Sequence, residues 1–285
     1  MSVAIAGEEV RRGASQSRRF VYGGVSFDVP AQDRASSSDC HFPEGAPSFA
    51  SVVCDVRGTP TTVDRSQVDP ITKQVIATWS DDAAVVEGRG VRARMRRVGE
   101  RRFVAAVERQ TDLSRYPVEE ALSYALVEHC GGVVLHAAAI SLDAQGTVLF
   151  IGPSGAGKTT ACSLTGRPFF AQDKLALVPR DDGEWWAWPL TGGSMPEQAV
   201  IASQPALPVA AICRVRRAHP ETRVTELSAH RAVFVVRESC FASTSSGEDA
   251  ERLGAIAELC ATVPVLELDT VLGSNPLPVL REWLS

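Results

Sequence analysis

Val148-Leu-Phe-Ile-Gly-Pro-Ser-Gly-Ala-Gly-Lys-Thr-Thr160 runs from an apolar, strand-like stretch through a glycine-rich turn into a helix-like one. Gly152, Gly157, Lys158 and Thr159 satisfy the spacing G-x-x-x-x-G-K-[ST], and the strand before and helix after supply the context that spacing requires. Glycines let backbone N–H groups turn inward around an anion, and the helix that follows presents its positive end to the same place. The loop is therefore expected to hold a nucleoside triphosphate, ATP with Mg²⁺, through Gly152, Pro153, Ser154, Gly155, Ala156, Gly157, Lys158, Thr159 and, secondarily, Thr160. Lys158 would reach the β and γ phosphates and the Thr159 hydroxyl would bind the metal ion.

Working outward, Val133–Leu142 and Thr147–Ile151 read as two strands joined by a turn at 143–146, and Lys158–Leu164 begins a helix. Beyond it Leu175–Pro179, Glu184–Pro189, Val209–Val215, Val224–Leu227, Val233–Val236 and Val263–Leu268 read as strands, and Ala250–Thr262 as a helix. Leu190-Thr-Gly-Gly193 reads as a turn that either borders a substrate cleft or simply reverses the chain. On the other side, Tyr116–Cys130 carries apolar residues at helical spacing behind the polar caps Asp112 and Ser114. Phe20–Val29 reads as one strand, and Ser51–Val56, Gln74–Trp79, Ala83–Val86 and Phe103–Val107 as short strands between turns. The fold class expected is α/β in the broad sense, α+β on a mixed sheet. Residues 1–19 form a flexible tail, 20–112 a β-rich amino-terminal region, and 113–285 a P-loop nucleotide-binding, kinase-like domain.

Composition narrows the partners. The chain of 285 residues is 45% hydrophobic and 22% charged, with a formal net charge of −5, so nothing general draws it to nucleic acid or an anionic membrane. No apolar run approaches the roughly 18 residues of a membrane span, and Met1–Arg12 lacks a signal-peptide core. A cytoplasmic location follows by default. The seven cysteines are scattered and never in CxxC spacing, so they read as reduced, buried small hydrophobes. Arg89–Arg102 holds seven arginines; their alternation with Val91, Ala93 and Met95 suggests the exposed face of an edge strand rather than a phosphate or nucleic-acid site. Strand alternation puts Trp186 and Trp188 on one face, which favours packing over base stacking.

Further residues join the loop. His136-Ala-Ala-Ala-Ile140 precedes it and Phe170-Ala-Gln-Asp-Lys174 follows it. Asp173, just before an apolar strand, is placed to bind Mg²⁺ or accept a hydroxyl proton, or else is an ordinary turn aspartate. His136 would hydrogen-bond a phosphate oxygen or orient Asp173, or else is structural. Lys174 either screens a phosphate, pairs with Asp173 or is solvated. Arg214, Arg216 and Arg217 lie where one could contact a nucleotide, and nothing singles one out.

With these motifs in place, residues of about 130–190 resemble the catalytic domain of bacterial HPr kinase/phosphorylase, and the rest resembles a looser group of HPr-kinase-like proteins sharing the phosphoenolpyruvate-carboxykinase-like arrangement. The resemblance implies an ATP-dependent kinase that transfers the γ-phosphoryl group to a hydroxyl, a serine of a peptide or small protein, with Asp173, Lys158 and His136 catalytic and Thr159 and Asp173 on the metal. Homo-oligomerisation is left open. The family usually has two adjacent aspartates where this chain has Gln172 and Asp173. That departure keeps two other readings alongside: a non-catalytic nucleotide sensor or scaffold that retains the loop, and a simple NTPase. No NKxD-like motif points to guanine, and no signature of the reverse phosphorylase reaction is found.

Overall fold

The structure is a computed structural model that describes residues 17–30, 41–59, 75–88, 91–110, 118–142, 145–190, 203–217, 220–241 and 249–285. Among these, seventeen strands and five helices form two mixed sheets, so the fold is mixed α+β. No helix among the described residues is long and apolar enough to cross a membrane.

The first sheet takes strands β1 (Ser17–Tyr22), β2 (Val25–Pro30), β3 (His41–Pro43), β4 (Ala50–Thr59), β5 (Ile76–Ser80), β6 (Ala83–Gly88), β7 (Val91–Gly99) and β8 (Arg102–Gln110). Their order is β3-β1-β2-β4-β8-β7-β6-β5, with β4 parallel to both its neighbours. The single strand expected over Phe20–Val29 is instead the hairpin β1–β2. Gly23 and Gly24 both have positive φ (56° and 80°), which makes a tight two-residue turn; a Cβ on Gly24 would fall 2.5 Å from the Phe49 ring. Ser17, Arg18 and Arg19, read as the end of a tail, are strand residues. In β7, Val91, Ala93 and Met95 are buried while Arg92, Arg94 and Arg96 are exposed, as alternation requires. The strand is internal, however, between β6 and β8: alternation reveals which face is wet but not which edge is free.

Helix α1 (Val118–His129) lies between the two sheets and is buried on every side from Val118 to Val127. A helix so placed shows almost no amphipathic stripe. The caps proposed for it, Asp112 and Ser114, fall outside the described residues. Glu120 is buried to 1% exposure and accepts a 2.7 Å bond from Lys174 Nζ of the second sheet. Lys174 is thus not a solvated cation. It is half of a buried ion pair that ties α1 to the other sheet, with Nζ 5.4 Å from the Phe241 ring centroid.

The second sheet comprises β9 (Val133–Leu135), β10 (Ala137–Ser141), β11 (Thr147–Ile151), β12 (Phe169–Ala171), β13 (Leu175–Pro179), β14 (Trp185–Pro189), β15 (Leu207–Arg217), β16 (Arg223–Glu226) and β17 (Val265–Thr270). The order β12-β10-β11-β15-β14-β13-β9 runs through the long β15, whose carboxyl half also pairs with β17. Strands β11, β15 and β17 are mutually parallel where they meet. Parallel neighbours need crossovers, which α2 (Lys158–Leu164), α3 (Ala229–Glu238) and α4 (Asp249–Thr262) help provide; α5 (Leu277–Leu284) closes the chain.

The strand expected over Val233–Val236 is part of α3. Ala232, Val235 and Val236 are buried and Arg231 and Arg237 exposed, a helical spacing that packing against α4 stabilises over the β preference of the valines. The expected strand Val133–Leu142 is broken at His136 into β9 and β10, which pair with different strands. Trp188 packs edge-on to Phe49, 5.3 Å between centroids, in the core that α1 shares with the first sheet, and Trp185 is buried on the opposite face. Trp186, half-buried, packs against the same core as Trp188, with the Arg180 guanidinium 4.6 Å from its ring centroid, so the pair that alternation puts on one face packs there. Of the turn Leu190–Gly193, Leu190 is buried and the rest lies outside the described residues.

Removing one member of the Lys174–Glu120 pair strands a charge inside. Lys174→Ala is expected to cost about 3–5 kcal/mol in chemical denaturation, and the double change Lys174→Met with Glu120→Leu to recover most of it. A loss from the single change below about 1 kcal/mol would contradict the pairing. A second expectation concerns alkali. Burial pushes the thiols of Cys130 and Cys260 up to about 11 and those of Cys213 and Cys240 up to about 12, from 9.0. Above pH 9 the unfolded chain loses these protons while the folded chain keeps them, so the native state binds more protons and stability falls as pH rises. Burial also raises the Cys162 thiol well above its ordinary value, and Lys158, pulled down by burial, opposes these as one group against five. Urea denaturation between pH 8 and 10.5 should show a steady fall, shallower in Cys213→Ala with Cys240→Ala.

Candidate functional site

The loop after β11 begins where β10 also begins, because Ala137 pairs with Ile151. It therefore sits at the carboxyl end of β11, beside the carboxyl end of its parallel neighbour β15, the position in open α/β sheets where ligands gather. Gly152, Gly155 and Gly157 have φ of 141°, 79° and 97°, a conformation closed to most side chains. Gly157 caps α2 in the left-handed region.

Lys158, only 8% exposed, curls back over the loop and donates to the carbonyls of Gly152 (2.9 Å) and Pro153 (3.2 Å). Burial lowers its pKa from the ordinary lysine value, and the nearby Asp173 carboxylate raises it in part. A buried ammonium held mainly on neutral carbonyls is an arrangement suited to an anion.

His136 and Asp173 reach the same cleft by a shared route. The chain leaves β9 for β10 at His136, and leaves β12 for β13 across Gln172–Lys174; since β9 pairs with β13 and β10 with β12, the two crossings run alongside each other. Ala137 N–H donates to the carbonyl of Asp173 (3.2 Å) and His136 N–H to that of Ser239 (2.7 Å). The side chains then meet, with His136 Nε2 3.4 Å from Asp173 Oδ1. Asp173 takes φ of 78°, left-handed for a residue with a Cβ, a conformation that costs of order 1 kcal/mol or more and persists only where the surroundings impose it.

The cleft holds about 250 Å³ and is walled by His136, Lys158, Thr159, Gln172, Asp173 and Arg217, among others. All the site residues expected from sequence therefore converge except Pro153 and Gly152, which lie in the loop backbone behind it, and Ala156, whose Cβ packs on Gly152. Gln172 Oε1 is buried without a hydrogen-bond partner.

Of the three arginines left undistinguished, Arg214 and Arg216 lean on Glu267 of β17 at 3.8 and 2.7 Å. Arg217 instead lies over Gly157, where a Cβ would fall 2.5 Å from its Nε, and no ion pair among the described residues engages it. Its place as the last residue of a strand parallel to β11 is the signal that sequence reading passed over. Phe241 was also missed: its N–H donates to Val134 (2.9 Å) and its ring stands 5.7 Å from that of His136.

If the crossing imposes the backbone at Asp173, glycine should fit there at little cost and a β-branched residue should not. Asp173→Gly is expected to stay within about 1 kcal/mol of the parent in stability, and Asp173→Val to lose about 2 kcal/mol relative to glycine. Equal stabilities for glycine and valine would contradict the strain.

No curated protein matches the chain. Residues 112–273, which run from ahead of α1 through the loop, both crossings and β17, match the family described as SynChlorMet cassette protein ScmC. That is more than half of the 285 residues, and the chain belongs to that family.

Proposed function

We propose that this chain is an ATP-dependent phosphotransferase with a P-loop fold of the HPr-kinase type, acting on a hydroxyl of a peptide or small protein. The observation that carries the reading is the convergence, in one cleft, of a loop-bound lysine, a strained aspartate and a histidine in contact with it. Loop N–H groups and Lys158 would hold the triphosphate, with Arg217 adding charge from its place over Gly157. The donors present are suited to Mg²⁺: the Thr159 hydroxyl, the Asp173 carboxylate and the buried, unpartnered Gln172 Oε1 are hard oxygens, and Mg²⁺ commonly takes one or two carboxylates and leaves its other positions to phosphate and water. When bound, the ion would neutralise phosphate charge.

In the transfer itself the acceptor oxygen forms a bond to the γ-phosphorus as the bond to the β–γ bridging oxygen breaks and ADP leaves. The acceptor proton passes to Asp173, which His136 orients from 3.4 Å. A second reading, a nucleotide-binding subunit without turnover, is favoured by one observation: an amide, Gln172, stands beside Asp173 where the resembled family carries a second carboxylate.

The two readings part on transfer of labelled γ-phosphate to a serine-containing peptide pool. The kinase reading expects measurable transfer that Asp173→Asn lowers by roughly 10²–10⁴-fold with nucleotide binding retained, and that Lys158→Ala abolishes together with binding. It also expects Gln172→Asp to keep or raise the rate. Binding with no transfer by either the parent or Gln172→Asp would move the assignment to the non-catalytic reading.

A further inference from the structure

A second cleft of about 110 Å³ lies on the other side of Gly157, between α2 and the turn that follows β17. It shares Gly157, Thr160 and Arg217 with the first, so the two are one groove divided by the ridge that Gly157 and the Arg217 side chain form. Their linings differ in kind. The first presents Lys158, Thr159, His136 and Asp173. The second presents Ala161 and Leu164 of α2, Val215 of β15, and Val271 and Leu272 of the turn.

We propose that this second cleft takes the nucleoside of the triphosphate whose phosphates occupy the first; the proposal rests on the nucleotide reading above. The wall that would meet the base is fixed in advance. Thr222 and Ser274 hydroxyls lie 2.6 Å apart, Val271 N–H donates to Thr222 Oγ1 (3.2 Å), Ser274 Oγ donates to Val271 O (2.9 Å), and Thr270 Oγ1 donates to Arg216 O (3.0 Å). The side-chain hydroxyls around the turn are thus engaged within the protein, and Val271 and Leu272 give it an apolar lip. At that lip stands Leu272, 87% exposed. A single exposed leucine is unremarkable by itself; one held on a braced turn, at the mouth of an apolar slot continuous with a phosphate cleft, is a surface awaiting a planar ring. Among the described lining residues there is no carboxylate or amide side chain to read a base edge, so the slot takes the base by apolar contact, and Arg217 on the ridge meets the phosphate nearest the sugar. The two clefts together reach the ~300 Å³ at which small-molecule sites begin.

The test compares Mg·ATP with Mg·tripolyphosphate, which carries the phosphates without the nucleoside, by calorimetry on the full chain. In the unaltered protein ATP should bind roughly tenfold or more tightly than tripolyphosphate, the scale of an apolar contact. Leu272→Asp, at an exposed position where folding is not at stake, and Leu164→Glu on the facing wall should each weaken ATP about fivefold or more and leave tripolyphosphate within about twofold. Equal affinities for the two ligands, variants that weaken both alike, or variants that change neither would overturn the subsite while the phosphate cleft stands. Failure of the unaltered protein to bind either ligand would instead remove the nucleotide reading and this proposal with it.

Discussion

Two adjacent chain crossings organise the half of the molecule that carries the candidate site. Because β10 must pair with β11 on one side and β12 on the other, while β9 pairs with β13, the segments linking β9 to β10 and β12 to β13 leave the sheet side by side. The hydrogen bond from Ala137 N–H to Asp173 O holds them together, and the left-handed backbone of Asp173 is the local cost. Strain of this kind is retained where sheet pairing over-determines the backbone. The result is that a carboxylate and an imidazole separated by thirty-odd positions meet beside the loop after β11, whose own start is set by the pairing of Ala137 with Ile151.

The crossings are braced from below. Lys174, immediately after Asp173, is drawn into the interior by Glu120, so the stance of Asp173 depends on α1 and, through it, on the first sheet. On the other flank, the segment after α3 accepts His136 N–H at Ser239 and sets Phe241 against both His136 and Lys174. No residue of the amino-terminal sheet is among the described residues lining the cleft, and the sheet still helps to position it, which gives the β-rich region a mechanical part in the site.

The loop, α2, β11, β13 and α4 were readable because each satisfies a local rule: a motif with required flanks, an apolar run of strand length, or a helical period. The hairpin at Gly23-Gly24 obeys an equally local rule, two glycines between alternating strands, and was passed over in favour of one longer run. Other features are not local. Val233–Val236 looks like a strand until the parallel pairing of β15 with β17 demands a crossover, and Lys174 looks solvated until α1 is placed against the second sheet. The convergence of His136 and Asp173 came from a resemblance, and its geometric cause is the pairing scheme of four strands, which no spacing reveals. Arg217 and the apolar slot beside it depend on where β15 ends relative to β11, a fact of sheet register alone.

The central claim, that Lys158 and its loop hold a metal-bound triphosphate, is tested most directly by calorimetric titration of the unaltered chain with ATP in the presence and absence of Mg²⁺. The account predicts saturable one-to-one binding that Mg²⁺ strengthens. No saturable heat with Mg²⁺ present, or binding indifferent to the ion, would contradict it.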